Sequence, residues 1–305
     1  MTFFRKDEQL DKLGNEILEA TWTEFPELAP NQIALSWLVY DPPVLVNTGG
    51  ALSAEEFWKH QVRGFSYRGV EGIYPAGIAN LFYLVAIEEW LENEMTPNSG
   101  ELDRAIKEMI VNSSNDALGL VVDILSGTTS GPDLPAGPLE TWKFQRNIVN
   151  RYFRSLGWQE LQSININQKI WGESPYGRER TFLGEFGENR NRLTTNATAR
   201  LLHSIIGGVA VSAKRSQQMM TLMRRTLDPV HPLRGSLGAS LPKEAKLWSQ
   251  AGGDTQVCHD AAYIELPSVS PYLLVVFTEG NNHCTNQEIL PFISTQIVAV
   301  MNKLG

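Results

Sequence analysis

The 305-residue sequence lacks the features that mark several classes of protein. No apolar run approaches the roughly 18 residues of a membrane-spanning segment, so a membrane span is excluded. No stretch is rich in Lys and Arg, and the formal net charge is −8, so we do not expect nucleic acid as a partner. Neither H-x-E-x-x-H nor C-x-x-C spacing occurs, and the Gly-Gly pairs lack a dinucleotide-site context. We therefore expect no metal or other cofactor.

Cysteine is scarce, since Cys258 and Cys284 are the two in the chain. They cannot form a disulfide framework, and two reduced thiols are favoured over a single bridge. The chain begins MTFFRKDEQL, which puts Arg5, Lys6 and Asp7 where an export signal would be apolar. We therefore expect a cytoplasmic protein.

The spacing of apolar residues predicts a mixed α/β (α+β) fold. Stripes at helical spacing predict helices over 7–24, 77–92, 102–125, 139–156, 196–206, 214–227 and 286–303. Short apolar runs predict strands over 33–40, 245–250, 258–266 and 271–279, and the last three suit an antiparallel meander. The glycine-rich segment 61–74 predicts a loop or hairpin, and 159–191 is irregular.

This order of elements predicts one antiparallel sheet covered by helices, with an all-helical subdomain between its early and late strands. We expect residues 1–73 and 208–305 to form the sheet part, and residues 74–207 the mainly helical part. Helix 102–125 must be interrupted at Asn112-Ser113-Ser114-Asn115, because such side chains favour caps and turns. Helix N-caps are expected at Asp7, Ser53, Thr194 or Thr195, and Thr285.

Three short segments carry the candidate chemistry. The first, Tyr74-Pro75-Ala76-Gly77-Ile78-Ala79-Asn80, opens the predicted core helix. The second, Ser113-Ser114-Asn115-Asp116-Ala117, lies at the helix break. The third, Ser249-Gln250-Ala251-Gly252, lies on a predicted strand. In order and context they resemble the S-x-x-K, S-D-N and K-T-G motifs of the class A β-lactamase and penicillin-recognising serine hydrolase family.

The resemblance covers roughly residues 30–303 and implies a β-lactamase/transpeptidase-like fold. It implies a cleft between sheet and helical subdomain, lined by Ser113, Asn115, Gln250, Ala251 and Gly252. It also implies acyl transfer to a serine, with one lysine beside the nucleophile and another on the strand to pair with the substrate carboxylate.

Three positions depart from that chemistry. Gly77 stands in place of the nucleophilic serine, Asn80 in place of the first lysine, and Gln250 in place of the strand lysine. Acyl transfer needs a nucleophile, a base and an oxyanion hole, whereas a glycine and two neutral amides supply neither nucleophile nor base. We therefore expect a catalytically degenerate member, a pseudoenzyme whose cleft binds a small ligand or a peptide or protein partner non-covalently.

Two other functions stay open. One is an active hydrolase of a β-lactam, ester or amide with an unrecognised nucleophile such as Ser113, for which we identify no base. The other is a scaffold protein whose cleft has partly closed. The loop carrying Tyr176, Arg178 and Arg180 is expected near the mouth of the cleft, where it could hold an anionic ligand or a partner peptide. A solvated loop is the simpler interpretation.

The other candidate side chains are expected to have structural roles. His259 and Asp260 are adjacent on a strand and point to opposite faces, so they do not form a dyad, and the same alternation separates Cys258 from His259. Four glutamates of segment 159–191, where the family has its omega loop, are expected to form surface salt bridges: Glu173, Glu179, Glu185 and Glu188. The remaining histidines are scattered at His60, His203, His231 and His283.

Overall fold

The computed structural model describes residues 3–41, 52–228, 233, 235–267, 269–280 and 286–304. Its strands are β1 (Arg5–Lys6), β2 (Ile33–Val39), β3 (Arg63–Tyr67), β4 (Arg224–Arg225), β5 (Lys246–Gly253), β6 (Val257–Glu265) and β7 (Tyr272–Glu279). Its helices are α1 (Glu8–Glu24), α2 (Ala54–Phe57), α3 (Ala79–Glu92), α4 (Gly100–Val111), α5 (Asn115–Ser126), α6 (Ala136–Arg146), α7 (Ile148–Ser155), α8 (Gly177–Leu183), α9 (Thr195–Ile206), α10 (Ala213–Met223) and α11 (Ile289–Leu304).

One seven-stranded sheet runs through the molecule in the order β1-β3-β2-β7-β6-β5-β4. β2 pairs antiparallel with β7 along its whole length, from Ile33 opposite Thr278 to Val39 opposite Tyr272. β5, β6 and β7 form an antiparallel meander. The predicted pairing of the early strand with a late meander is therefore confirmed.

Helices cover both faces of the sheet because alternate side chains of its central strands are apolar on each side. Every residue of β2 is buried. Leu35 and Trp37 belong to a core shared with Leu18 of α1 and Ile293 of α11. Leu38 belongs to the opposite core, which contains the buried faces of α3, α4, α5 and α9. The sheet thus separates two hydrophobic layers, and the candidate site lies on the side of the larger one.

The prediction of a loop or hairpin over 61–74 is wrong for part of that segment. β3 lies inside the sheet, antiparallel to β2 and parallel to β1. A Cβ added at Gly64 would lie 2.6 Å from Leu38 Cδ2 and 2.9 Å from Phe4 Cδ2. The glycine that hides the strand pattern in the sequence is therefore required by close packing across β3.

Several helix boundaries differ from the predicted ones. α3 begins at Ala79, after a 3₁₀ turn at Ala76–Ile78, rather than at Gly77. The pattern over 139–156 forms two helices, α6 and α7, and the pattern over 214–227 ends at Met223, where β4 follows. The irregular segment 159–191 contains α8. The predicted break between α4 and α5 is confirmed.

Side-chain caps begin three helices as predicted. Asp7 accepts from Leu10 N in α1, Ser53 forms a capping box with Glu56 in α2, and Thr194 caps α9. The predicted cap at Thr285 falls outside the described residues, as do three further residues singled out in the sequence: His231, His283 and Cys284.

Buried His203 gives a prediction about acid stability. Its Nδ1 lies 2.8 Å from Tyr40 Oη, and burial, with a smaller effect of the Arg200 charge, lowers the pKa of His203 to about 3. An unfolded histidine binds a proton near pH 6.5, so the unfolded state gains protons first as pH falls from about 6.5 to about 3. Stability is lost over that window. We expect His203→Gln, which cannot titrate, to show a smaller drop in Tm than the wild type between about pH 7 and about pH 4.5.

His60 is exposed, so His60→Gln is the matched control and should keep the wild-type slope of Tm against pH. Parallel Tm curves for the wild type and His203→Gln would contradict the assignment.

Candidate functional site

The start of α3 is held from several directions. Phe82 packs edge-on against Phe153, with ring centroids 5.1 Å apart, and Tyr83 Oη donates to Gln168 O at 2.8 Å. Tyr83 is fully buried. These contacts fix α3 and, with it, the preceding turn that contains Gly77.

His259 ties that turn to the sheet. Thr278 N donates to His259 Nδ1 at 3.2 Å, so Nε2 carries the proton that is donated to Tyr74 O at 2.8 Å. Burial lowers the pKa of His259 to about 4, which keeps the ring neutral. Asp260 points to the other face, where its Oδ2 accepts from Leu237 N at 2.9 Å. The prediction that His259 and Asp260 form no dyad is therefore confirmed.

The buried carboxyl of Asp260 titrates in an unusual range. Burial raises its pKa to about 7, although the hydrogen bond from Leu237 N and the charge of Arg225 act in the opposite direction. Asp260 does not line the cleft, and its carboxylate has a structural role in holding Leu237 N.

A cleft of about 830 Å³ lies between β5, the α4–α5 junction and segment 170–173. It brings together five of the predicted site residues: Gly77, Ser113, Asn115, Ala251 and Gly252. Cys258 also lines it, with Sγ 3.8 Å from Gly235 O. Gln250 is fully buried and does not line the cleft.

At the nucleophile position the cleft is closed by backbone. A Cβ added at Gly77 would lie 2.8 Å from Ala251 O and 3.3 Å from Gly252 Cα. A Cβ at Gly252 would in turn lie 2.6 Å from Ile78 N and 2.7 Å from Pro75 O. The 3₁₀ turn and β5 touch through main-chain atoms, so no side chain fits between them without movement.

Neutral groups occupy the two positions that the motif resemblance aligns with lysines. Asn80 is buried and its Nδ2 donates to Met109 O at 3.0 Å. Gln250 Nε2 donates to Ala251 O at 3.1 Å and, more weakly, to Ser113 Oγ at 3.4 Å. No titratable side chain of the described residues hydrogen-bonds Ser113 Oγ, so Ser113 lacks a base. Ser113 also has a left-handed backbone, with φ of 51°.

Arg225 is a nearby cation that sequence reasoning did not identify. Its guanidinium donates to Ile110 O at 2.8 Å, to Ser249 O at 3.1 Å and to Gln250 Oε1 at 3.4 Å. Burial lowers its pKa, although Asp260 acts against this. The glutamine at position 250 thus accepts from an arginine that would repel a lysine there. The pair Arg224-Arg225 after a helix gives no sequence signal of this role.

A buried ion network anchors the segment that forms one side of the cleft. Glu179 Oε1 lies 2.5 Å from Arg146 Nη2, and both side chains are fully buried. Lys169 Nζ lies 2.7 Å from Asp123 Oδ2 and donates to Ser130 Oγ at 2.8 Å, and Ser130 donates to Glu179. The prediction of a surface salt bridge is wrong for Glu179, because α8 turns it inward against α6.

The other three glutamates predicted to form surface salt bridges, Glu173, Glu185 and Glu188, are not part of this ion network. Glu173 lines the cleft, and Glu188 Oε2 accepts from Phe186 N at 3.1 Å. Among the described residues, neither of these nor Glu185 has a cationic partner within salt-bridge distance, so the predicted surface salt bridges are not found there either.

The predicted ligand loop lies apart from the cleft lining. Tyr176 is exposed and its ring centroid is 6.2 Å from that of Trp171. Arg178 Nε donates to Pro132 O at 2.9 Å, which ties it to the loop before α6. Neither Arg178 nor Arg180 lines the cleft. The residues that line this side of the cleft include Trp171 and Arg190, which sequence reasoning missed.

The described part of the chain contains neither a cluster of metal-ligating side chains nor a helix suited to a membrane. No group of three or more His, Cys, Asp or Glu side chains there could hold a metal ion. No helix there combines the length and apolar character needed to cross a bilayer.

The ion network predicts a large cost for Glu179→Gln. The substitution leaves two cations, Arg146 and Lys169, with Asp123 as their one carboxylate partner, which should lower the free energy of unfolding by about 3–5 kcal/mol in urea denaturation. Amide exchange of residues 169–176 should also accelerate. Glu140→Gln removes the partner of Lys143 at a pair whose glutamate is 71% exposed, so it should change stability by less than about 1 kcal/mol. Equal effects of the two variants would contradict a buried network.

Closure at Gly77 predicts that Gly77→Ala destabilises the protein. The added methyl group meets a carbonyl oxygen of β5, so we expect a loss of about 1–3 kcal/mol in chemical denaturation. Gly100→Ala is the control, because a Cβ there meets nothing within 4 Å and α4 should gain about 0.4–1 kcal/mol. A neutral or stabilising Gly77→Ala would mean that the turn and β5 are not in contact.

Solved structures of low sequence identity share this architecture. A β-lactamase from Sphaerobacter thermophilus is 15% identical, with a TM-score of 0.64 over 95% of this chain and 98% of that chain. A variant of PBP-A, solved as an acyl-enzyme complex with penicillin G, is 16% identical, with a TM-score of 0.64 over 98% of both chains. A β-lactamase from Chitinophaga pinensis is 14% identical, with a TM-score of 0.60 over 95% and 99%. These likenesses support the fold.

The sequence itself matches a family model. A comparison with curated proteins gives no significant match. The model described as the β-lactamase enzyme family matches residues 91–301, from the end of α3 to α11, and this range contains the Ser113-Ser114-Asn115 and Ser249-Gln250-Ala251-Gly252 segments. Since that range is well over half of the sequence, the chain belongs to the β-lactamase enzyme family.

Proposed function

We propose that this protein is a pseudoenzyme of the β-lactamase fold, whose cleft binds a small ligand or a peptide without forming an acyl-enzyme. The observation that carries the proposal is the contact between Gly77 and β5. A side-chain carbon at position 77 would lie 2.8 Å from the Ala251 carbonyl oxygen. The position that should present a nucleophile therefore lacks both the hydroxyl and the space for it.

The neighbouring groups support the same conclusion. Acyl transfer requires a group that accepts the nucleophile's proton and donors that stabilise the oxyanion. Asn80 is a neutral amide bonded to Met109 O, and Gln250 is a neutral amide beside Arg225. No positive charge remains at either former lysine position to lower a hydroxyl pKa or to pair with a substrate carboxylate.

The cleft is nevertheless open enough to bind a ligand. Its volume of about 830 Å³ falls within the range of about 300–1,000 Å³ that is usual for small-molecule sites. Its lining includes aromatic side chains, an arginine and carboxylates, so it offers apolar and polar contacts together. This space favours ligand binding over the alternative of a scaffold with a filled cleft.

The alternative of an active hydrolase depends on Ser113. Its hydroxyl is exposed to the cleft, but its hydrogen-bond partner is the Gln250 amide at 3.4 Å. An amide cannot remove a proton near neutral pH, so Ser113 would remain a weak nucleophile.

Nitrocefin turnover tests the proposal. We expect the wild-type protein at high concentration to hydrolyse nitrocefin no faster than buffer, and Ser113→Ala to be indistinguishable from it. Turnover that disappears in Ser113→Ala would contradict the proposal and identify the nucleophile. Turnover that survives in Ser113→Ala would contradict it as well and direct the search to Cys258, with Cys258→Ala as the next variant.

A double variant tests whether acylation is prevented mainly by the contact between position 77 and β5 or mainly by the absence of the motif side chains. Gly77→Ser with Asn80→Lys restores the motif residues, but the serine side chain must still displace Ala251 O. We expect a folded protein with lowered Tm and no measurable nitrocefin turnover. Robust turnover by this variant would show that β5 yields easily, and the closed contact would then not be what prevents acylation.

A further inference from the structure

Arg190 stands where two cavities of the site meet. It lines the main cleft and also an adjoining pocket of about 350 Å³. We name this adjoining space the junction pocket, and its principal walls are Tyr74, Trp171, Leu183, Phe186, Arg190 and Glu173. The inference below rests on the proposed non-covalent role of the cleft and specifies the chemistry of its ligand.

The Arg190 guanidinium is oriented but has no carboxylate partner. Its Cζ lies 3.8 Å from the centroid of the Tyr74 ring, so the cation is placed over the phenol. A guanidinium has five N–H donors, and those that Tyr74 does not use remain able to bind a planar anion. Among the described residues, no carboxylate oxygen lies within 4.0 Å of it. Arg200 and Arg215 are ion-paired, with Glu160 and Glu88, whereas Arg178 and Arg225 donate to main-chain carbonyl oxygens and line neither cavity.

Aromatic surface adjoins this cation on the cleft side. Trp171 lines the junction pocket, the main cleft and a third depression beside α5. Phe186 is 85% exposed at the rim of the junction pocket, which is unusual for a phenylalanine. A ligand that packs on Trp171 and Phe186 would remove apolar surface from water while its polar end reached Arg190.

Two carboxylates, those of Asp254 and Glu173, also line the cleft and add negative charge near Arg190. Asp254 is engaged by its own turn, since its Oδ1 accepts from Gln256 N at 2.7 Å and from Val257 N at 3.0 Å. Glu173 lines the junction pocket with no cationic partner among the described residues. Its negative charge opposes that of Arg190, so it should weaken the binding of a simple anion.

We propose that Arg190 binds the carboxylate of a ligand whose apolar or aromatic body packs on Trp171 and Phe186. The anion anchor then lies on the omega-loop side of the cleft. On the strand side, Gln250 is neutral and buried, and no lysine or arginine of the described residues there lines the cleft.

A matched pair of probes tests the proposal. N-acetyl-tyrosine has a carboxylate, whereas N-acetyl-tyrosinamide differs from it by a neutral amide. Binding is followed by NMR through the indole N–H of Trp171, assigned from its loss in Trp171→Phe. We expect the acid to shift this resonance saturably and the amide to bind roughly tenfold or more weakly, which is the scale of a charge-assisted contact.

Variants locate the contact. Arg190→Gln should weaken the acid roughly tenfold or more and leave the amide unchanged, and Arg190→Lys should give an intermediate affinity. Glu173→Gln should tighten the acid. Arg178→Gln is the control, because it removes the same charge from the neighbouring helix but Arg178 does not line either cavity. It should bind the acid as the wild type does.

Equal binding of acid and amide, or equal losses in Arg190→Gln and Arg178→Gln, would overturn the proposal, as would the absence of any saturable shift with the acid. These outcomes are separate from the failure of the pseudoenzyme proposal, which nitrocefin turnover detects without reference to Arg190.

Discussion

The main-chain contact between β5 and the 3₁₀ turn at Ala76–Ile78 is the constraint on which the rest of the site depends. Two glycines make it possible, because a Cβ at either Gly77 or Gly252 would meet backbone atoms at less than 3 Å. His259 holds the turn from within the sheet through Tyr74 O, and the buried α3 holds it from the other side. The absence of a side chain at position 77 and the absence of room for one are therefore one structural feature.

The opposite side of the cleft is organised by charge rather than by close packing. Glu179, Arg146, Asp123 and Lys169 form a network that is largely withdrawn from water and fixes the ends of segment 169–179. Such a network is costly to break but contributes little net stability compared with apolar packing, so its effect is to fix geometry. Here that geometry presents Trp171 toward the cleft. Glu173 and Arg190 line the same cleft, as do Ser113 and Asn115 of the α4–α5 junction.

Much of the architecture could be predicted from apolar spacing and motif order. The helix break at Asn112–Ser114, the caps at Asp7 and Thr194, and the meander of β5 to β7 follow from local rules. β3 could not be predicted, because Gly64 interrupts its pattern for a packing reason that lies on other strands. The motif resemblance correctly predicted that Gly77, Ser113 and Gly252 line one cleft, because the three motifs of the family lie close together in space.

The parts of the site that sequence reasoning missed depend on long-range contacts. Glu179 looked like a surface residue because charged segments are usually solvated, and its burial follows from Arg146 more than thirty residues earlier. Arg190 gave no signal because stacking on Tyr74 joins residues far apart in the chain.

Intact-mass spectrometry of the wild-type protein after prolonged incubation with penicillin G tests the central claim most directly. Closure at Gly77 and the absence of a base at Asn80 predict an unchanged mass. A stable increase equal to the mass of penicillin G would contradict the account, and peptide mapping of the modified residue would then identify a nucleophile that the closed turn does not block.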